Sequence, residues 1–291
     1  MKYLLKPILF YLLVAMIPAV AGAGQQEQNP TKTVGSNGQW QRLSVGLELG
    51  VFRSPQPSEI GDSKIRILRI DPQRYKLRLL NASAFKNGRA LTARDWCRRY
   101  GLTAAINASM YQVDYKASVS LMRTRGHVNN PRLSRDMTIL AFDRLDTEIP
   151  PVKIIDRQCD DFKIWRRKYG TLVQSIRMIS CTGENVWRQQ TGKWSTAAIA
   201  MDHQDRVLFI HCGSPFSTHD LIDILTALPL GISRAMYTEG GPQAQLYIKS
   251  APHEYEFAGA YQLDIRQNSK ALFSSPIPNV VGIVPLPGLH K

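Results

Sequence analysis

The chain has 291 residues, of which 44% are hydrophobic and 21% are charged. This is the composition of an ordinary globular protein, and it excludes a disordered, collagen-like or multi-span membrane protein. Lysine and arginine total 37 against 23 aspartate and glutamate residues, which gives a formal net charge of +14. Such a surplus favours contact with polyanions such as nucleic acid, anionic lipid or an acidic glycan, without choosing among them.

The first 23 residues have the pattern of a signal peptide. Lys2 and Lys6 precede an apolar run over residues 8–20, and Ala-Gly-Ala at 21–23 is a small-residue cleavage site. The run is shorter than the about 20 apolar residues that a membrane span needs. We therefore predict cleavage after Ala23, a periplasmic or secreted location, and no integral membrane span in the mature chain. An uncleaved anchor is the alternative.

The remainder of the chain is predicted to be one domain behind a linker. Residues 24–39 are polar and rich in Gln, Asn, Gly and Thr, which predicts a flexible linker. Residues 40–291 contain no internal repeat and no convincing boundary. In an oxidising compartment the four cysteines can form disulfides in any of three pairings, and buried free thiols are the alternative. These cysteines are Cys97, Cys159, Cys181 and Cys212.

Alternating apolar residues predict strands throughout this domain. Leu43 to Leu49 lie on one face of a first strand. Further strands at 65–70 and 77–80, with a turn at 71–73, predict a β-meander. Later strand candidates are 103–106, 137–142, 152–155, 172–179, 196–201, 207–211, 234–238, 244–248 and 280–284.

One helix is well signalled, a short helix is predicted before it in the chain, and a third is indicated. One opens at Leu91 and stops at Gly101, and another begins after the capping residue Ser217 and ends at Pro229. Residues 162–168 mix basic and aromatic side chains, as an amphipathic helix or a nucleic-acid surface does. We favour the helix and expect no nucleic-acid partner. Strands with two or three helices interspersed predict an α+β fold.

Three polar positions stand out at the ends of apolar strands. Glu239 ends a strand and is followed by Gly240 and Gly241, which allow a sharp turn and close approach to a ligand. A hairpin turn with an exposed acid is the alternative. Asn107 follows a buried strand and predicts a turn cap or a ligand contact. Arg177 lies alone in a strand-like run and needs a structural carboxylate or an anionic substrate as its partner.

These segments, in this order, resemble the phosphodiester glycosidase family. In that family an N-A-G-M-F-like segment precedes a Q-S-G-P-like strand, an R-T-A-I-G-like strand, a helix and a D-G-G-x-S-like turn. The matching stretches are 107–111, 174–179, 195–202, 218–228 and 239–243, and residues 277–282 resemble the last strand of the family. The resemblance covers about 100–285 and implies a phosphodiester-glycosidase-like domain.

The resemblance also implies an exported hydrolase that acts on a sugar-1-phosphodiester or related glycoside of envelope glycans. Glu239 would be the acid, base or nucleophile, and Asp202 a second carboxylate, although Asp202 also fits a hairpin loop. Arg177 would clamp the phosphate, with Arg123 as a second cation. The other predicted substrate contacts are Asn107, Thr196, Gly240 and Gly241. A divalent cation could bridge carboxylate and phosphate, but no ligand spacing demands one, and no metal site or other cofactor is predicted.

Three positions depart from the family pattern. Glu239 replaces the usual aspartate, Ser195 replaces the arginine of the R-T-A-I-G-like strand, and Gln243 and Ala244 stand where a serine often follows. Glutamate is one methylene longer than aspartate, and this difference in side-chain length is large compared with the roughly 0.5 Å within which a catalytic group must be positioned. A non-catalytic binding protein of the same fold, holding an anionic glycan or nucleic acid, is therefore the alternative.

Overall fold

The computed structural model describes residues 38–260 and 274–288. All of them belong to one compact unit, Ser36–Lys291. The predicted signal peptide, and the predicted linker up to residue 37, lie outside the described residues. Gln39, the last residue of that linker, is already the first residue of a strand.

Seventeen strands and three α-helices make up the described part of the chain. In order they are β1 (Gln39–Ser44), β2 (Leu47–Arg53), β3 (Lys64–Ile70), β4 (Tyr75–Asn81), α1 (Ala93–Tyr100), β5 (Ala104–Asn107), β6 (Met122–Arg123), β7 (Val128–Asn130), β8 (Thr138–Arg144), β9 (Val152–Asp156), α2 (Phe162–Trp165), β10 (Tyr169–Ser175), β11 (Arg177–Ile179), β12 (Trp194–Asp202), β13 (Val207–Phe216), α3 (Thr218–Ala227), β14 (Ile232–Gly240), β15 (Gln245–Ser250), β16 (His253–Ala258) and β17 (Asn279–Pro285). Within these residues, no helix is both long and apolar enough to cross a membrane.

The strands form three antiparallel sheets. Sheet 1 has seven strands in the order β1-β2-β3-β13-β12-β14-β11. Sheet 2 has the order β7-β6-β10-β8-β9, and sheet 3 has the order β16-β15-β5-β17-β4. The strand-rich fold with helices interspersed agrees with the predicted α+β class.

All three sheets share one hydrophobic core. Phe209 of sheet 1, Leu140 of sheet 2 and Leu246 of sheet 3 are buried in the same cluster. Each sheet then packs its other face against one helix, α3 on sheet 1, α2 on sheet 2 and α1 on sheet 3. A sheet with two apolar faces must bury both of them. One face of each sheet lies in the shared core, and a helix covers the other face.

The helices predicted to stop at Gly101 and to begin after Ser217 are both confirmed at these ends. The Thr92 hydroxyl accepts a hydrogen bond from the Asp95 N–H at 3.1 Å, and Gly101 ends α1 in the left-handed conformation at φ 64°. At the start of α3 the Ser217 hydroxyl accepts from the Asp220 N–H at 3.0 Å. Each cap satisfies a backbone group that the helix itself leaves unpaired.

Several strand predictions need correction. The predicted strand from Leu43 to Leu49 is a hairpin, because the chain turns at Gly46 with φ 73°. The meander includes β1, β2 and β3 only, since β4 pairs in sheet 3. The predicted strand at 172–179 breaks at Ile176, where the chain passes from sheet 2 into sheet 1.

The cysteines combine the two outcomes that the sequence left open. Cys159 and Cys181 form a disulfide, which joins the segment after β9 to the segment after β11. Cys97 and Cys212 are free and buried.

Candidate active site

Glu239 lies at the end of β14, where the chain leaves sheet 1. Across β12, Ala197 pairs with Glu239 and Thr196 pairs with Gly240, while Thr238 is skipped in a β-bulge. Such bulges redirect side chains and are common beside active sites. A 3₁₀ turn at Gly241–Gln243 then carries the chain into β15 of sheet 3. The glycine turn therefore crosses between two sheets, and the hairpin alternative is wrong.

The two glycines are required for different reasons. Gly241 adopts φ 65°, a conformation that side chains disfavour. Gly240 has an extended backbone but no room, because a Cβ atom there would lie 2.0 Å from the Tyr237 hydroxyl oxygen and 2.7 Å from Cδ1 of Trp194. The turn thus places two aromatic side chains directly against its backbone.

Gly240→Ala is expected to lower the free energy of unfolding by about 1–3 kcal/mol, the usual cost of forcing a methyl group into a packed site. Chemical denaturation measures this. Gly126→Ala is the control, because a Cβ atom at Gly126 meets nothing within 4 Å. Equal stability of the two variants would mean that the aromatic side chains do not pack against the turn.

Burial makes the Glu239 carboxyl a weak acid. Removal from water raises its pKa from an ordinary value of 4.5 to about 7. The Gly240 N–H donates to Oε1 at 3.1 Å and lowers the pKa, but by less than burial raises it. Within residues 38–260 and 274–288, no charged group contributes to this shift. A carboxyl that is about half protonated at neutral pH suits proton transfer, and such shifts are common at functional sites.

Three buried polar atoms on or next to the glycine turn have no hydrogen-bond partner among the described residues. They are Oγ1 of Thr196, Oγ1 of Thr238 and Nε1 of Trp194. Thr196 pairs with Gly240, Thr238 precedes Glu239, and Trp194 contacts the Gly240 position. Unsatisfied groups are rare in protein interiors, so each of these three atoms calls for an explanation.

Asn107 positions the glycine turn. Its side-chain amide donates to the Gln243 carbonyl at 2.8 Å, and its Oδ1 accepts from the Gln245 N–H at 2.8 Å. The residue is 1% exposed. These two bonds hold the backbone of the turn, while a direct substrate contact stays a prediction.

The other two motif segments meet β14 just before Glu239. The Ser109 hydroxyl donates to the Gln174 carbonyl at 3.1 Å, and the Ser175 hydroxyl donates to the Tyr237 carbonyl at 2.5 Å. The segments containing Asn107, Gln174 and Glu239, far apart in sequence, therefore converge.

Ser195, which departs from the family pattern, joins two neighbouring segments of the chain by hydrogen bonds. Its hydroxyl donates to the Gly213 carbonyl at 2.7 Å and accepts from the Ala260 N–H at 2.8 Å. A Cβ atom at Gly259 would lie 2.1 Å from the Gly241 carbonyl oxygen. The segment that contains Gly259 and Ala260 thus packs against the glycine turn, and the hydrogen bonds of Ser195 hold it there.

Arg177 forms a buried ion pair. Its Nη1 donates to both carboxylate oxygens of Asp156, at 3.0 and 3.1 Å, and to Gln158 at 2.7 Å. Asp156 is 0% exposed and also accepts the Cys181 N–H at 3.0 Å. This contact ties β9 of sheet 2 to β11 of sheet 1. Nη1 is thereby occupied, so the predicted phosphate clamp could use only other atoms of Arg177.

Asp202 and Arg123 are not brought to Glu239. Asp202 lies at the far end of β12, five residues from Ala197 (197 to 202), or roughly 16 Å at about 3.3 Å per residue. Its carboxylate is paired with Arg206 at 2.7 Å and accepts the Gln204 N–H, as in a hairpin loop. Paired glycosidase carboxylates are about 5–9.5 Å apart, so Asp202 is not the partner of Glu239. Arg123 donates to the Arg166 carbonyl beside α2.

Sequence reasoning missed Trp194, Thr238 and Ser175. Thr238 and Ser175 adjoin Glu239 and Gln174 in the recognised segments, so their positions were within reach of the motif comparison. Trp194 carried no signal, because only the folded chain places it against Gly240. Among the described residues, no group of three or more His, Cys, Asp or Glu side chains could hold a metal ion.

A family model described as phosphodiester glycosidase matches residues 100–284. The chain belongs to this family. The resemblance predicted from the motif segments is thereby confirmed, and family and fold suggest phosphodiester glycosidase-like activity. None of the curated proteins matches the chain.

Three solved structures are similar to this phosphodiester glycosidase family member. A hypothetical protein from Synechocystis has a TM-score of 0.56 and 11% identity, with 84% of this chain and 63% of that one covered. The zebrafish N-acetylglucosamine-1-phosphodiester alpha-N-acetylglucosaminidase catalytic domain, auto-inhibited by its pro-peptide, has a TM-score of 0.54 and 12% identity, covering 84% and 87%. A putative exported protein from Burkholderia pseudomallei has a TM-score of 0.51 and 10% identity, covering 76% and 74%. At such identities the likeness concerns the fold.

Proposed function

We propose that the protein is an exported phosphodiester glycosidase that hydrolyses a sugar-1-phosphodiester of envelope glycans, with Glu239 as its catalytic carboxyl. The observation that carries the proposal is the Glu239 carboxyl itself, which occupies the acidic position of the family's glycine turn. Burial raises its pKa to about 7, so about half of the carboxyl groups carry a proton at neutral pH. A nucleophilic carboxylate would be fully ionised there, so the shift favours general acid catalysis.

In the proposed reaction the bond between the anomeric carbon and the phosphate oxygen breaks. Glu239 gives its proton to the departing oxygen, and water adds to the anomeric carbon and releases a proton to solvent. The products are a free sugar and a phosphomonoester, so atoms and charge balance. A phosphomonoester has a second pKa of about 6, close to that of Glu239, which makes the proton transfer nearly balanced in free energy.

Two features support export. Residues 1–23 have the charged, apolar and small-residue pattern of a signal peptide. Disulfides such as Cys159–Cys181 persist in oxidising compartments and are rare in the cytosol.

The net charge of +14 suits an anionic glycan as substrate.

We expect kcat/KM to fall as the pH rises through about 7, tenfold per unit beyond it, because the acid form of Glu239 disappears. A fluorogenic phosphodiester of N-acetylglucosamine 1-phosphate, followed between pH 5 and 9, is the first substrate to measure, with other sugars after it. The same profile in Glu239→Asp should shift with the pKa of the new carboxyl. A rate that rises through pH 7 would make Glu239 a base, and a flat profile would remove its titration from the reaction.

The second candidate is a non-catalytic glycan-binding protein. It is favoured by the position of Asp202, the predicted second carboxylate, at the far end of β12. Calorimetry separates the two candidates, since binding of a sugar phosphodiester without turnover of any member of the panel would support the binding protein.

A further inference from the structure

A cavity of about 590 Å³ lies away from the glycine turn, at the opposite end of sheet 3. Its lining includes Tyr75 of β4 and Phe142 of β8, so it lies where sheet 3 meets sheet 2. Val280 of β17 pairs with both Leu80 and Asn107. Tyr75 is five residues from Leu80 (75 to 80), or roughly 16 Å along β4 from the row that contains Asn107. A cavity of this size is typical of small-ligand sites, and the proposed chemistry does not use it.

The inner wall of the cavity is apolar. Tyr75, Leu77, Phe142 and Val152 line it, and all four belong to the core that the three sheets share. Each of them is at most 4% exposed. Leu286, which is half-buried, lines the cavity from the end of β17. A ligand that fills the cavity must therefore offer an apolar body, since polar groups without hydrogen-bond partners are costly to bury against such a surface.

Three cations and one acid share the lining with these apolar residues. The cations are Lys76, Arg125 and Arg144, and the acid is Asp143. Asp143 pairs with Lys76 at 3.3 Å and accepts from the Thr171 hydroxyl at 2.5 Å. Neither arginine has an acidic partner within 4.0 Å among the described residues. Two positive charges beside the apolar wall are therefore not neutralised by this part of the chain.

The two arginine side chains are held in place by backbone groups. Nη1 of Arg144 donates to the carbonyls of Thr147 and Ile149, at 2.8 and 2.6 Å. The Arg125 side chain lies on Gly170, where a Cβ atom would be 2.6 Å from Nε and 2.7 Å from Cγ of the arginine. Gly170 therefore leaves the space that Arg125 occupies. A guanidinium group that is already positioned loses less conformational freedom when it binds an anion.

We propose that this cavity is a second ligand site, which binds a fatty-acid carboxylate with its alkyl chain against the apolar wall and its carboxylate against Arg125 and Arg144. Arginine binds carboxylates through paired, charge-assisted hydrogen bonds. A small polar anion would satisfy the arginines but leave the apolar wall in water, and a neutral alkyl chain would do the reverse. Only an amphiphilic anion matches both parts of the lining. The site is independent of the proposed catalysis at Glu239.

Calorimetric titration with three probes tests the proposal, each probe being kept below the concentration at which it forms micelles. Decanoate carries both the chain and the charge, decanol has the chain without the charge, and acetate has the charge without the chain. We expect decanol and acetate each to bind about tenfold or more weakly than decanoate. Arg125→Gln should lower the affinity for decanoate by about tenfold and leave that for decanol unchanged. Leu286→Trp, which fills part of the cavity, should weaken the binding of both.

Matched variants separate this cavity from general effects of charge. Arg99→Gln removes the same charge from an exposed position of α1, and Glu239→Gln changes the distant turn, so both should bind decanoate like the wild type. Gly170→Ala keeps every charge but displaces the Arg125 side chain, and it should also weaken decanoate binding.

The proposal is overturned if decanoate does not bind, if either other probe binds as tightly, or if Arg125→Gln keeps the wild-type affinity for decanoate. Melting curves establish that each variant is folded. Should Leu286→Trp fail to fold, Arg125→Gln decides the matter, because Arg125 is exposed and its replacement leaves the core intact.

Discussion

Glu239→Gln is expected to lower turnover by about 10²–10⁴ while leaving the fold intact. Glutamine keeps the shape and one acceptor oxygen of the side chain but cannot transfer a proton, and loss of general acid catalysis costs about this much. Initial rates on a cleavable sugar phosphodiester measure the effect. Wild-type activity in this variant would remove Glu239 from the catalytic assignment.

The same substitution is expected to stabilise the protein at alkaline pH. Folding raises the pKa of Glu239 from 4.5 to about 7, so the folded state favours the protonated carboxyl. Below pH 4.5 both states are protonated and the effect is absent. As the pH rises from 4.5 to 7, the unfolded chain ionises first and stability falls, and above 7 the full cost remains.

At about 1.4 kcal/mol per pKa unit, a rise from 4.5 to about 7 corresponds to a cost of about 3–4 kcal/mol. Glu239→Gln has no such cost, so its free energy of unfolding should exceed that of the wild type at pH 8 and match it at pH 4. Urea denaturation at both pH values measures this. Glu148→Gln, at an exposed position, is the control and should show no such gain. A Glu239→Gln protein that is no more stable at pH 8 would contradict the burial of the carboxyl.

Arg177→Ala is expected to lower the free energy of unfolding by about 3–5 kcal/mol. The substitution leaves Asp156, which is 0% exposed, as an uncompensated buried charge, and breaking buried ion pairs costs about this much. Denaturant titration measures the loss. Because Arg177 joins two sheets, the loss should appear without any substrate.

The partner substitution makes the interpretation specific. In Asp156→Leu/Arg177→Met both charges are removed, and much of the stability should return, since apolar replacements of buried ion pairs are often neutral. Arg99→Ala, on the exposed face of α1, should change stability by about 0.5 kcal/mol or less. Unchanged stability of Arg177→Ala, with a raised KM, would return Arg177 to the phosphate-clamp role.

The strands show where sequence reasoning about this fold stops. Alternation identified most of them, but β10 and β11 formed one apolar run, and only the break at Ile176 assigns them to different sheets. Likewise β14 and β15 have the sequence of a hairpin and pair in sheets 1 and 3. The alternation of apolar and polar residues shows which face of a strand is buried, but it does not show which strand lies next to it. Strand pairing therefore depends on contacts between residues that are distant in sequence.

For the site itself, the sequence alone determined what local chemistry can determine. The caps of α1 and α3, the acid followed by two glycines, and the order of the family segments were all readable, because each depends on neighbouring residues. The tertiary structure decided the rest. It separated Asp202 from Glu239 and paired Arg177 with Asp156 and Cys159 with Cys181. It also placed Trp194 beside the turn and Trp187 against the Tyr237 ring. Charges and rings find their partners across sheets, and burial, which sets the pKa of Glu239, exists only once the sheets have packed together.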